Sequence, residues 1–296
     1  MMNEPLTIKL KTLTPLWTGG VDGKSDRLHA NSIIGSLRWW YEAVVRGLGG
    51  YACDPTSDER CPDQNGRRCP ACEVFGCTSW SRKFRLRILD ERAQLIQNAI
   101  DPNQSLTLQF IEARTMCDAE KWLLSQSTTI MATFGAMGGK TTLKPQKKSK
   151  VGDDYGLIKL EGSIAHSTDR LTATEYLHDT RWCNPQTTLP DLRWFFFVSG
   201  GFLWRRQINT LIGLSEDGKV EIGHADYQRF LRGKRGGGPN QAAISKKIFS
   251  FRATGGRIWG YARDQAMRDQ IISQLRQTLE SNQIIIKTGE EVLREL

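Results

Sequence analysis

The sequence contains no run of about 20 apolar residues, so no stretch of it has the length to span a membrane as a helix. Its opening, MMNEPLTIKL, has no basic stretch followed by an apolar core, and no secretory leader is expected there. It also lacks a nucleotide-hydrolysing loop. In FGAMGGKTTLKPQ the pattern G-x-x-x-x-G-K-[ST] needs a glycine where Phe134 stands, and the stretch follows a helix rather than a strand. Acidic residues are the minority, with 32 Asp and Glu against 41 Lys and Arg. The resulting charge of +9 favours polyanionic partners through the phosphate-counterion effect. The expected compartment is the cytoplasm, where thiols stay reduced and clustered cysteines suggest a metal.

What is present is enough for a folded protein. The 296 residues allow one large domain or two of ordinary size, and 39% of them are hydrophobic, including nine Trp and eleven Phe. The most informative stretch is NSIIGSLRWWYEAVVRGLGG, Asn31 to Gly50. Wound at 100° per residue, it places Ile33, Leu37, Trp40, Tyr41, Val44 and Leu48 on one face. Gly35, Arg38, Trp39, Glu42 and Arg46 fall on the other. Asn31 or Ser32 can cap the start, and Gly47, Gly49 and Gly50 end it. A polar face with a Trp, a Gly and two Arg can pack on a second domain. It can equally present a flat ring and guanidinium groups to a nucleic acid.

Around this helix the patterns alternate. Leu6, Ile8 and Leu10 mark a first strand; Phe84, Leu86 and Ile88 a second, with a basic opposite face; Leu106, Leu108 and Phe110 a third. A second helix is expected from Asp118 to about Phe134, and a fourth strand within 156–164. The order strand, helix, strand, strand, helix, strand is that of a ferredoxin-like α+β domain, with one sheet face covered and one free for RNA or a neighbouring subunit. Past residue 166 the pattern weakens. Trp194–Val198 reads as a buried strand and Ile248–Arg252 as another, with Ile258–Ala262 returning along it and a helix from Asp264 to about Asn282. The clear strands are too few for a complete second unit.

Between the first helix and the second strand lie Cys53, Cys61, Cys69, Cys72 and Cys77. Cys69-Pro-Ala-Cys72 has the spacing that lets two thiolates reach one tetrahedral ion, and Cys53 and Cys61 can complete it. The expected ion is zinc, in a structural role, because four sulfur ligands leave no open position. Cys77 is the spare or replaces Cys53; a redox pair is the competing reading of the Cys69–Cys72 spacing. Cys117 and Cys183 stand alone in the sequence. Gly138, Gly139 and Lys140 form a loop whose N–H groups can approach a phosphate, with the alternative of an ordinary surface turn.

Taken together, Gly19-Gly20, SIIGSLRWW at 32–40, CPACEVFGC at 69–77, FGAMGGK at 134–140 and GGRIWGY at 255–261 resemble the RAMP superfamily of CRISPR effector proteins. Within it, the resemblance is to the first RAMP subunit of the type III-B Cmr module. It implies tandem ferredoxin-like (RAMP/RRM-like) domains, divided here as 1–165, with the zinc insertion at 51–77, and a divergent 166–296. It also implies an RNA-binding subunit that caps a ribonucleoprotein filament near the 3′ part of the guide RNA and helps capture target RNA in antiviral defence. Its partners would be guide CRISPR RNA, target RNA and the other Cmr subunits. By motif, Arg38, Trp39, Arg46, Gly138, Gly139 and Lys140 would contact RNA. No catalytic residue is expected. The alternative is a metal-independent endoribonuclease acting on CRISPR RNA, which would need a base such as His29, or Asp22 or Asp26.

Overall fold

The computed structural model describes residues 4–19, 25–138, 154–164, 168–184, 190–234, 244–279 and 284–296. They form two compact units. The first holds the described residues up to 138 and from 155 to 191; the second holds Asp154 and 192–295. Among the described residues no helix is long and apolar enough to cross a membrane.

In the first unit the chain runs β1 (Leu6–Thr12), α1 (Ala30–Gly47), α2 (Pro70–Phe75), β2 (Phe84–Leu89), β3 (Ser105–Glu112), α3 (Asp118–Phe134), β4 (Ile158–Leu160) and α4 (Arg170–Leu177). The four strands pair in the order β2-β3-β1-β4, every neighbour antiparallel. Register follows the alternation read from the sequence: Ile8 sits opposite Leu108, Leu10 opposite Leu106, and Leu86 opposite Phe110. Because side chains alternate across a strand, these residues share one buried face. Lys9, Lys11, Arg85, Arg87 and Lys159 lie at the intervening positions, exposed or half-buried. A line of edge-to-face rings, Tyr41 on Phe75 (5.3 Å), Phe75 on Phe84 (5.5 Å) and Phe84 on Phe110 (5.1 Å), joins α1 to α2, β2 and β3. Such pairs contribute about 0.5–1.5 kcal/mol each beyond the area they bury. The unit continues past residue 165 because α4 packs on α3 and the Cys183 amide donates to the Arg68 carbonyl at 3.0 Å.

The second unit contains β5 (Phe195–Ser199), α5 (Arg205–Leu211), α6 (Asp226–Arg232), β6 (Ile248–Phe251), β7 (Arg257–Tyr261), α7 (Gln265–Leu279), β8 (Ile285–Thr288) and α8 (Gly289–Arg294). Its sheet order, β6-β7-β5-β8, is again all antiparallel and repeats the first unit's order strand for strand. The sequence patterns indicated too few strands for this. The missing one is β8, four residues at the sheet edge, exposed or half-buried throughout and so without an alternating signature. Phe196, Val198, Ile208, Ile248, Ile258, Ile271 and Leu275 form the core beneath the sheet. The architecture is therefore α+β with tandem ferredoxin-like units. Each unit carries extra chain between its first helix and second strand: α2 and the cysteines in the first, α6 and its flanking turns in the second.

Candidate metal centre and the helix beside it

Helix α1 begins two residues before the expected caps. His29 occupies the N-cap position, and its backbone N–H donates to Thr18 Oγ1 at 3.1 Å. Ile33, Leu37, Trp40, Tyr41 and Val44 are buried, as the periodicity indicates. The opposite face is not the open polar surface the helical wheel implies. Gly35 is exposed, with nothing within 4 Å of where a Cβ would stand. Further along, Glu42 and Arg46 are buried, at 5% and 4% relative exposure.

The cause is the cysteine insertion, which folds back over this half of the helix. Arg46 lies beneath it, donating to the carbonyls of Ala52 (2.8 and 3.1 Å), Cys53 (3.2 Å) and Pro190 (2.9 Å). This corrects the reading of Arg46 as an RNA contact: its guanidinium is enclosed and committed to backbone oxygens. Burial pulls its pKa below the ordinary value, against the opposing pull of Glu42, Cys69 and Cys53. Arg38 is also turned inward, donating to Glu42 (2.7 Å), the Gly76 carbonyl (2.9 Å) and Cys72 Sγ (3.2 Å). Burial lowers its pKa, but Glu42 and Cys72 outweigh that effect and hold it above the usual value. Burial likewise pushes the Glu42 carboxyl up to about 7, despite Arg38 beside it. Trp39 is half-buried, its ring set edge-on to Trp40 at 5.1 Å.

The cysteines converge as their spacing predicts. The sulfurs of Cys53, Cys61, Cys69 and Cys72, all buried, lie within 4.8 Å of one another. Cys53 and Cys72 are 3.4 Å apart and Cys53 and Cys69 3.9 Å. Ligands at the ~2.3 Å Zn–S distance of a tetrahedral site would be separated by about 3.8 Å, so the donor set fits a four-coordinate ion. Donors around the cluster can stabilise thiolates. Backbone amides of Cys53, Cys69 and Cys72 point at ligand sulfurs at 3.3–3.5 Å, and Cys69 caps the short helix α2, which opens on Pro70. A divalent ion with four thiolates would carry two negative charges, and an unpaired charge is costly to bury. The buried Arg46 and the half-buried Arg38, which is also paired with Glu42, supply positive charge beside it.

Cys77 is half-buried, outside this group, with its thiol directed to the Thr78 carbonyl. Cys183 is not alone: its sulfur lies 3.4 Å from that of Cys61, a contact across 122 residues that spacing could not reveal.

The glycine loop packs on the start of α1. The Gly138 amide donates to Ser36 Oγ at 2.9 Å and Trp40 Nε1 to the Ala136 carbonyl at 3.4 Å, so Ser36 is a positioning residue the motif contained without disclosing its part. Gly138 has φ +99°, and a Cβ there would come within 2.6 Å of the Trp17 carbonyl, so glycine is required. That amide is spent on Ser36 rather than open to a phosphate. Gly139, Lys140 and Asp22 lie outside the described residues. Asp26 is exposed and His29 half-buried.

Residues 9–143 match the family model of the RAMP superfamily. The matched stretch lies within the N-terminal part of the chain and covers less than half of it. No curated protein matches the sequence. Among solved structures, Cmr1 from Pyrococcus furiosus (apo form) is similar over 96% of this chain and 98% of its own, with 10% identity and a TM-score of 0.50. A chain of the type III-B Cmr-beta complex bound to cognate target RNA is similar over 94% of this chain and 100% of its own, with 11% identity and a TM-score of 0.48. At 10% identity, the likeness to the first of these shows a shared fold.

Proposed function

We propose that this chain is an RNA-binding, non-catalytic subunit of a type III-B CRISPR ribonucleoprotein effector complex. The observation that carries the reading is the likeness to Cmr1 from Pyrococcus furiosus across nearly the whole of both chains, joined to a RAMP domain at 9–143. On this reading it caps the filament near the 3′ part of the guide RNA and helps capture target RNA. Its partners are guide CRISPR RNA, target RNA and the other Cmr subunits, and it works in the cytoplasm. The net charge of +9 and the basic free sheet face support a polyanionic partner. The ridge of α1 at Gly35 and Trp39, beside the glycine loop, is the RNA-facing part of the first unit, with Arg38 reaching it only in part. Zinc held by Cys53, Cys61, Cys69 and Cys72 is structural and keeps the insertion folded over α1.

The purified chain should bind a labelled single-stranded RNA with an affinity that falls steeply with salt, and should leave the RNA intact. Incubation with guide and target RNA in EDTA tests the enzyme alternative. Specific cleavage that disappears in His29→Ala would replace this reading by that of an endoribonuclease, and absence of any RNA affinity would leave a protein scaffold.

A further inference from the structure

The second unit has a cavity of about 960 Å³ that the motifs do not touch. Its wall comes from α5, the turn around 214–221, α6 and the segment entering β6. Its apolar lining comes from Ile212, Leu214 and Ile244 and its cationic lining from Arg205, Lys219, Arg229, Arg232, Lys234, Lys246 and Lys247, with Glu221 the single carboxylate among the lining residues. These seven residues come from four separate segments, so the fold rather than a lysine run gathers them.

The ion pairs these cations make are exposed and weak: Lys219 lies 3.7 Å from Asp217, both well exposed. Arg232 pairs with Glu221 at 3.2 Å, but that carboxylate side chain is 57% exposed, and such pairs are worth about 1 kcal/mol or less. Arg229 is 3.9 Å from Asp226, both well exposed. Lys247 is buried at 8% exposure. Its ammonium donates to the Ser245 carbonyl at 2.8 Å and lies 5.1 Å from the Phe230 ring. Desolvation lowers its pKa with no carboxylate to offset it. Like charges around an apolar lining repel one another, and an anion placed among them relieves that repulsion. Phe230 is the one aromatic ring among the lining residues, and it is already engaged by Lys247, by Arg263 at 5.4 Å and by the edge of Tyr261 at 6.0 Å. It is not a free platform for a base. Arg and Lys without stacking surface recognise phosphate rather than sequence.

We propose that this cavity binds the phosphodiester backbone of single-stranded RNA, without regard to base, as a second RNA site distant in sequence from the motif-bearing RAMP domain. It rests on the RNA-binding reading above and adds a location and a mode to it. Its volume is at the upper end of the ~300–1,000 Å³ of small-ligand pockets, so it accommodates a segment of backbone rather than a lone ion.

The test uses the full chain and a fluorescein-labelled 20-nucleotide oligo(U), with oligo(A) as the base control, titrated at several salt concentrations. Arg205→Glu/Lys234→Glu alters two rim cations, and Arg205→Gln/Lys234→Gln serves if the reversal perturbs folding; circular dichroism checks both. The expected result is at least tenfold weaker binding of both oligonucleotides. The slope of log K against log salt should also shrink by roughly 0.7 for each phosphate that the variant no longer neutralises. A folded variant with wild-type affinity and slope overturns the cavity while leaving the RNA-binding reading in place. Wild-type protein that binds neither oligonucleotide overturns both. Selective loss of one base overturns backbone recognition, and tighter binding of a poly-glutamate peptide than of RNA of equal charge makes the cavity a protein-docking site instead.

Discussion

A guanidinium N–H of Arg38 donates to the sulfur of Cys72 at 3.2 Å, which ties helix α1 directly to the cysteine cluster. The same side chain holds Glu42 and the Gly76 carbonyl, so its planar fork is fixed on three sides. A donor of this kind lowers the charge density on a ligand thiolate and sets its orientation. Removing a partner in this position typically costs 10–100-fold in metal affinity. Arg38→Ala should therefore weaken zinc binding by roughly tenfold or more in a chelator competition, and replace the tetrahedral cobalt(II) spectrum by a broadened one. Arg38→Lys should recover only part, because an ammonium cannot serve all three acceptors at once.

Arg46 acts through the backbone instead. Its four hydrogen bonds fasten residues 52, 53 and 190 to the end of α1. Truncation leaves three carbonyls short of a donor in a buried place, at about 1–3 kcal/mol for each group left unsatisfied. Arg46→Ala should lower the urea midpoint by an amount corresponding to about 3 kcal/mol. If Arg46 were an RNA contact, the variant would keep its stability and lose RNA affinity; burial predicts the reverse for the folded fraction.

These two arginines also mark where sequence reading reaches its limit. The period of 3.6 placed Ile33, Leu37, Trp40, Tyr41 and Val44 correctly, because that face meets elements built from the same local pattern. It placed Arg46 in solvent because nothing local announces that residues 52, 53 and 190 close over it. The convergence of the cysteine quartet was legible because its CxxC spacing is that of a candidate metal site, whereas the Cys61–Cys183 contact has no such spacing. In the second unit, β5 carried a continuous apolar run, and β6 and β7 short apolar stretches. The edge strand β8 and the insertion holding α6 did not, and with them the basic cavity escaped notice, its cations scattered from Arg205 to Lys247.

The insertion offers a prediction about metal removal. Between these cysteines, residues 54–60 and 62–67 are mostly exposed and bury little apolar surface, so an ion held by the four thiolates, with the Arg46 bonds, would order them. Arg60 and Arg67 are exposed trypsin sites within that stretch. Loaded with zinc, the protein should resist cleavage there. After treatment with a strong zinc chelator it should be cut at these arginines first, while the second unit, folded around its own core, stays intact. Cys53→Ser should behave as the chelated protein does, and Cys77→Ser as wild type. Equal sensitivity of both variants would remove the four-cysteine assignment.

The contact between Gly135 and Trp40 supplies a test of helix α1 and the glycine loop as one packed piece. A Cβ at Gly135 would stand 2.2 Å from the Trp40 indole, well inside contact distance. Gly135 has φ −104°, an ordinary conformation for any residue, so the restriction is steric and not one of backbone strain. Trp40 is 1% exposed and cannot swing away without disturbing its bond to the Ala136 carbonyl. Overpacking of this kind costs about 1–3 kcal/mol. Gly135→Ala should therefore destabilise by that amount in the wild-type background, and by clearly less when Trp40 is replaced by Leu, which vacates the space the methyl needs. A double-mutant cycle read by thermal or urea unfolding measures the difference. Additive losses would mean that the loop and the helix do not bear on one another, and the positioning of Gly138 by Ser36 would lose its physical basis.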